Sequence, residues 1–117
     1  MTRHVVLFHH PRCSKSRQAL ALLEENGIEP EVVEYLRTPP SVDHLRELRD
    51  KLRVTAHDML RTKESEYAEA GLSDASSDDE IFQAIADAPV LLERPVVVAG
   101  AHAVIARPPE KLLELVT

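Results

Sequence analysis

Short apolar runs and longer amphipathic segments alternate along the chain. Residues 4–8 are almost wholly apolar and predict a buried strand, and residues 31–35 predict a second one. Between them a helical pattern runs from just after Cys13 to about Asn26, where Gly27 can adopt the left-handed conformation that ends a helix. A strand, a crossover helix and a strand form a βαβ unit, so we expect parallel strands and a right-handed crossover.

The middle of the chain has helical periodicity and several start signals. Ser41 is a good N-cap, and the apolar positions after it mark one face of a helix: Val42, Leu45, Leu48 and Leu52. Thr55 with Asp58 predicts a short helix through residues 59–61, and a small acidic helix is expected to stop at Gly71. Ser77 with Glu80 forms a capping box for one more helix. Residues 41–88 therefore predict a helical insertion within one domain of residues 1–117.

The last part of the chain predicts a hairpin and a helix. Apolar residues 96–99 and 103–106 flank a turn at residues 100–102, which favours an antiparallel pair, and Pro108 and Pro109 open the last helix. The order β-α-β, helical insertion, β-β-α is the thioredoxin-like arrangement. We therefore expect an α/β protein with a four-stranded mixed sheet, flanking helices, and the insertion between the second and third strands.

Composition narrows the class of protein. The core must be aliphatic, because 44% of the residues are hydrophobic and only 3% are aromatic. The net charge of −6 argues against nucleic-acid binding. The sequence contains neither a signal peptide nor an apolar run long enough to span a membrane. A single cysteine excludes an intrachain disulfide and a cysteine-based metal cluster. We expect a cytoplasmic monomer with a free thiol and no membrane partner.

That single cysteine, Cys13, lies where the first strand passes into the first helix. The unpaired N–H groups and the positive end of the dipole at a helix N-terminus stabilise a thiolate. Lys15 and Arg17 occupy the first turn, where basic residues are unfavourable, and this indicates that an anion binds there. Ser14 and Ser16 add hydroxyl donors. We predict that Cys13 is reactive and that these four neighbours support it.

Three further arginines stand at transitions between predicted elements: Arg61, Arg94 and Arg107. Arg94 and Arg107 each precede a proline, which favours an extended backbone. Guanidinium groups match the charge and geometry of a tetrahedral oxyanion. The three arginines are therefore candidates for anion binding.

Four segments together resemble the glutaredoxin-linked arsenate reductase family: residues 9–17, Leu60-Arg61, Glu93-Arg94-Pro95 and Ala106-Arg107-Pro108. The resemblance covers essentially the whole chain. It implies that Cys13 attacks arsenate, that Arg61, Arg94 and Arg107 bind the oxyanion and its reduced products, and that His9 modulates the reaction. It also implies a cis peptide bond at Pro95. One departure is His10, where most relatives carry Asn.

The number of thiols agrees with this resemblance. Reducing As(V) to As(III) takes two electrons, and one thiol cannot form a disulfide by itself. A second thiol must come from outside, most simply glutathione as co-substrate, with glutaredoxin reducing the mixed disulfide. The phosphatase-like arsenate reductases use a Cys-x5-Arg loop, but the residue six positions after Cys13 is Ala19, so that class is excluded.

Two alternatives stay open. A redox-responsive regulator of the Spx type shares the expected fold and binds RNA polymerase, but such sensors generally carry Cys-x-x-Cys, and here Ser16 replaces the second cysteine. The other alternative is a glutathione-linked thiol oxidoreductase. The remaining histidines, His4, His44, His57 and His102, have no ligand spacing, so we expect no bound metal or other cofactor.

Overall fold

A computed structural model describes residues 4–116 of the chain. Within these residues the strands are β1 Val5–Phe8, β2 Glu31–Val33, β3 Val96–Ala99 and β4 His102–Ile105. The α-helices are α1 Ser14–Glu25, α2 Val42–Leu52, α3 Ser65–Glu69, α4 Asp78–Asp87 and α5 Leu113–Val116, and short 3-10 helices cover Ala56–Met59, Pro89–Leu91 and Pro109–Leu112. The chain divides into two compact units: one combines the described residues up to Thr38 with those from Arg94 onward, and the other is Pro39–Glu93.

The first unit contains a four-stranded mixed sheet in the order β2-β1-β3-β4. Strands β1 and β2 are parallel, while β3 is antiparallel to both β1 and β4. This confirms the predicted thioredoxin-like α/β architecture. The prediction that the second strand reaches residue 35 was wrong, since β2 ends at Val33. The carbonyl of Glu34 accepts hydrogen bonds from the N–H groups of Arg37 and Thr38, which turns the chain away from the sheet.

Helix α1 packs on one face of this sheet through a small aliphatic core. Alternate residues of β1 point toward it because side chains in a strand alternate between the two faces. The core consists of Val5, Leu7, Ala19, Leu23, Val97, Ala99, Ala106 and Leu112, all of them buried. Gly27 ends α1 with a φ of 75°, and the N–H of Ile28 donates to the carbonyl of Leu23, as in a Schellman motif.

The second unit contains the predicted helix caps. The Ser41 side chain accepts a hydrogen bond from the N–H of His44, and capping boxes form at Thr55 with Asp58 and at Ser77 with Glu80. The expectation of a helix through residues 59–61 was wrong. The 3-10 helix ends at Met59, and Leu60 is extended and forms an antiparallel bridge with Leu92. Both of these leucines are buried, so tertiary burial overrides the local helical signal.

Candidate active site

Cys13 is the N-cap residue of α1, with an extended backbone of φ −91° and ψ 122°. Its N–H donates to the carbonyl of His10 at 2.9 Å, and its own carbonyl accepts from the N–H of Arg17 at 3.0 Å. The first bond closes a turn and the second begins the helix. The backbone on both sides of Cys13 is therefore fixed, and its partly exposed thiol lies at the head of α1.

The surroundings of Cys13 favour the thiolate. Burial alone would raise the pKa of Cys13, but hydrogen bonds from the backbone of Ser16, the side chain of Arg94 and the backbone of Lys15, together with the charge of Arg94, bring this pKa below its ordinary value. The shift has the predicted direction, yet Lys15 contributes through its backbone N–H rather than through its ammonium group. The helix N-terminus and one arginine are thus the main stabilising groups.

That arginine, Arg94, is partly buried and precedes the cis peptide bond Arg94–Pro95. Burial by itself would lower the pKa of Arg94, but its interactions with Cys13 and Tyr35 raise that pKa, so the guanidinium stays charged. Its Nε and Nη1 atoms are buried and have no hydrogen-bond partner among the described residues. Buried donors without acceptors are costly. The same guanidinium interacts with the Cys13 thiol, so the positive charge of Arg94 acts on the sulfur.

Arg107 is exposed, and its Nη1 donates to the carbonyl of Arg94 at 3.2 Å. The peptide bond Arg107–Pro108 is also cis, which the sequence did not predict. The structure therefore brings Cys13 and Arg94 together and joins Arg107 to the backbone of Arg94.

Arg61 belongs to the second unit, and its described side-chain partners there are carboxylates. Its Nε donates to Glu64 at 3.1 Å and its Nη1 to Glu93 at 3.4 Å. These bonds were not anticipated. A role of Arg61 in anion binding stays a prediction.

His9 and Ser16 form a buried pair beneath the cysteine loop. Ser16 is fully buried, and its Oγ lies 2.6 Å from Nδ1 of His9 while accepting the N–H of His10 at 3.0 Å. Burial lowers the pKa of His9; the charge of Glu34 opposes this shift and that of Arg17 adds to it. With a neutral ring the network is satisfied when the Ser16 hydroxyl donates to Nδ1.

His9 and Ser16 were both predicted as site residues, but the contact between them was not predicted. Position 16 lies on the same helical face as Ala19 and Leu23, which are also buried, and that spacing is the signal that could have revealed it.

The other predicted neighbours have more modest positions. Ser14 is exposed at the first position of α1, and Lys15 is partly exposed. The Arg17 side chain donates to the carbonyl of Pro11 at 3.0 Å, so it braces the cysteine loop. Tyr35, which the sequence did not suggest as a site residue, is fully buried, and its phenol interacts with Arg94.

The remaining histidines do not gather into a metal site. His4 bonds Glu31, and His57 bonds the carbonyl of Ser73. Across residues 4–116, no three histidine, cysteine or acidic side chains are grouped in a way that could hold a metal ion. In the same residues, no helix has both the length and the apolar character needed to cross a membrane.

A thioredoxin-like sheet with a single thiol of lowered pKa at the head of its first helix is an arrangement typical of thiol-dependent redox proteins. Residues 8–115 match the ArsC family, and the chain belongs to that family. This confirms the family resemblance drawn from the sequence motifs.

Individual relatives are similar along nearly the whole chain. The chain is 51% identical over 118 residues to the uncharacterized protein YfgD of Escherichia coli, covering 99% of both chains. It is 49% identical over 110 residues to an arsenate reductase of Neisseria meningitidis, covering 92% of this chain and 94% of the relative. The solved structure of an arsenate reductase from Vibrio cholerae superposes with a TM-score of 0.95 at 46% identity, covering 99% of this chain and 100% of that one.

Proposed function

We propose that this protein is an arsenate reductase that depends on glutathione and glutaredoxin, with Cys13 as its nucleophile. The observation that carries the proposal is the pairing of Cys13 with Arg94. A thiol of lowered pKa lies beside a charged guanidinium with two buried donors that lack acceptors. The names of the relatives from Neisseria meningitidis and Vibrio cholerae support arsenate as the substrate.

In the first step the Cys13 thiolate attacks the arsenic atom of arsenate. A sulfur–arsenic bond forms, one oxygen leaves as water after protonation, and arsenic stays As(V). Attack of an anion on an anion is opposed by charge repulsion, which positive groups placed beside the reacting atoms offset. Arg94 is proposed to bind the arsenate oxygens through its guanidinium, because this side chain interacts with the Cys13 thiol. Arg107 and Arg61 are proposed as further oxyanion ligands, because the family resemblance implies them.

In the second step the thiolate of glutathione attacks the sulfur of Cys13. A disulfide forms between the two sulfurs, and the electron pair of the broken sulfur–arsenic bond stays on arsenic. Two thiols have then lost two electrons, As(V) has become As(III), and arsenite is released. Glutaredoxin removes glutathione from Cys13 by thiol–disulfide exchange. An external thiol is required because Cys13 is the only cysteine.

The supporting residues are proposed to keep the sulfur charged and in place. Ser16 acts through its N–H on Cys13 and through its hydroxyl on His9, and Arg17 braces the loop. Ser14 and Lys15 complete the polar rim of the thiol. A thiol that must stay reduced suits the cytoplasm, which we propose as the compartment, and we propose that the chain acts as a monomer.

The test is arsenite production in an assay that contains arsenate, glutathione, glutaredoxin and their reductase. We expect turnover only when glutathione and glutaredoxin are both present, and none with the Cys13→Ser variant. Turnover of a glutathione mixed disulfide without arsenite production would favour the thiol oxidoreductase instead. Binding to the RNA polymerase α-subunit without any turnover would favour the regulator.

A further inference from the structure

The position of Arg61 is determined by a backbone pairing within the second unit. The N–H of Arg61 donates to the carbonyl of Leu91 at 2.8 Å, and the N–H of Glu93 donates to the carbonyl of Met59 at 2.8 Å. These bonds flank the bridge between Leu60 and Leu92, whose side chains are buried. Because side chains alternate along extended segments, Arg61 and Glu93 lie on the face opposite the two leucines.

A second carboxylate reaches Arg61 from the turn that follows it. The N–H of Glu64 donates to the Arg61 carbonyl at 3.2 Å, so the backbone itself brings the Glu64 side chain close. Arg61 then binds Glu64 through Nε and Glu93 through Nη1. We call Arg61, Glu64 and Glu93 the Arg61 cluster. Its formal charge is −1, and its side chains are only 22%, 28% and 28% exposed, so solvent screens them incompletely.

These contacts oppose the role that the family resemblance implies for Arg61. An oxyanion that approaches this guanidinium meets two carboxylates that already bind its Nε and Nη1. Binding of a doubly charged anion would make the formal charge around the Arg61 cluster more negative, from −1 to −3, unless one carboxylate moves away. Arg94 differs, because its Nε and Nη1 have no acceptor to lose.

We propose that Glu64 and Glu93 are specificity-determining residues that hold Arg61 and compete with the oxyanion for its guanidinium. They set how tightly arsenate is bound and disfavour the more highly charged oxyanions. This inference rests on the proposed function, because it assumes that Arg61 is one of the oxyanion ligands. The competition itself can be measured without any turnover.

The first experiment measures how available the Arg61 guanidinium is. Phenylglyoxal modification of Arg61 is followed by mass spectrometry in the wild type and in the variants Glu64→Gln and Glu93→Gln, with sulfate as a non-reacting oxyanion. Glu66→Gln is the matched control, because it removes the same charge close by while its described bond is to Ser65. We expect faster modification of Arg61 in both test variants and protection by sulfate at lower concentration than in the wild type.

Rates and protection in both test variants equal to those of Glu66→Gln would overturn the inference, whatever the protein does with arsenate. Glutamine is nearly isosteric with glutamate, so we expect unchanged thermal melts. If Glu93→Gln has a lower melting temperature than the wild type, the result for Glu64→Gln is used to judge the inference. Glu64 is only three residues from Arg61, so the loss of its charge should disturb the tertiary structure less.

The second experiment measures KM for arsenate in the coupled assay. Each partly exposed ion pair competes weakly, so each Glu→Gln change should lower KM by about two- to fivefold, with kcat little changed. The effect should vanish when Arg61 is also changed to alanine. An equal fall in KM in that background would mean that the carboxylates act by general charge alone, and the inference would be wrong.

The two experiments also separate this inference from the proposed function. Absence of arsenite production in the wild type contradicts the proposed function, whereas phenylglyoxal modification decides the competition for Arg61 by itself.

Discussion

Arg94 and Arg61 are both partly buried arginines at transitions between elements, yet their surroundings are opposite. Arg94 interacts with a thiol of lowered pKa, and two of its donors lack acceptors. Arg61 binds two carboxylates, Glu64 and Glu93. The first arginine interacts with the candidate nucleophile, whereas two nitrogens of the second already bind carboxylates. Two arginines that the same family resemblance singles out can therefore contribute very differently to anion binding.

The difference has local causes. Arg94 has Cys13 and the buried phenol of Tyr35 as its described interaction partners, both of which become negative when they ionise. Arg61 is followed three residues later by Glu64 and is paired across the Leu60–Leu92 bridge with a segment that ends in Glu93. Arg94 therefore acts on the candidate nucleophile, whereas the charge of Arg61 is offset by two carboxylates.

The largest effect on activity should come from a change at Cys13, the proposed nucleophile that interacts with Arg94. Serine is nearly isosteric but a far weaker nucleophile, so Cys13→Ser should lower arsenate reduction by at least about 100-fold with the fold intact. Arsenite production and a thermal melt of the same sample test this. Residual turnover well above one hundredth of the wild type would refute the nucleophile assignment.

The comparison between the two arginines predicts unequal losses. Arg94→Ala removes charge-assisted contacts of about 1.5–3 kcal/mol and should lower kcat/KM by about 10- to 150-fold. Arg61→Ala should cost less than about 10-fold, since its carboxylates already offset part of its charge. Arg94→Lys should recover only part of the loss, because a lysine cannot reproduce the guanidinium fork.

Kinetics and melting temperatures are measured on the same variants. Equal losses of kcat/KM for Arg94→Ala and Arg61→Ala would show that the two arginines contribute equally to activity, contrary to this prediction. Activity that merely follows the folded fraction would assign both arginines to structural support.

A smaller effect concerns the pKa of Cys13. Alkylation by iodoacetamide rises with pH as the thiolate forms, and in the wild type its midpoint should lie below the free-thiol value of about 8.5. Because the Arg94 side chain helps to lower this pKa, Arg94→Ala should move the midpoint upward. Arg61→Ala serves as the control and should leave the midpoint where it is. A midpoint unaffected by Arg94→Ala would contradict the proposed contact between Arg94 and the thiolate.

The smallest expected effect is on stability and involves His9, beneath the cysteine loop. The folded protein lowers the pKa of His9, mainly through burial, so folding favours the neutral ring. The contribution of His9 to the free energy of unfolding is complete above the pKa of the unfolded state, about 6.5. It is lost as the pH falls through the lower pKa of the folded state. The melting temperature should therefore fall more steeply on acidification in the wild type than in His9→Gln. Parallel curves would show that His9 is not held neutral.

Local features of this protein were predictable from neighbouring residues. Ser41, Thr55 with Asp58, and Ser77 with Glu80 cap helices as expected, because a cap and its partner lie within one helical turn. Cys13 at the head of α1 follows from an apolar run that meets a helical pattern. The family motifs added the implied roles of the arginines, which local pattern alone does not provide.

Two other features depended on competition between neighbouring structural preferences or on contacts with distant segments. The end of β2 at Val33 was misjudged, because the turn after Glu34 competes with continued pairing to β1. The helical signal through Leu60 was overridden by burial against Leu92. At Leu60 a local helical preference of small energy was outweighed by a tertiary contact, whereas after Val33 a local turn ended the strand.

The sequence by itself determined that Cys13 lies at the head of a helix, which helices are capped, and that the first two strands and the last two strands pair, since these follow from periodicity and from groups close along the chain. Only the tertiary structure decided the charge state and partners of the site. It placed Arg94 beside Cys13 and Tyr35, buried Ser16 against His9, and set Glu93 on Arg61 from 32 residues away. Burial and Coulomb interactions depend on distance in space, and distance along the chain does not specify them.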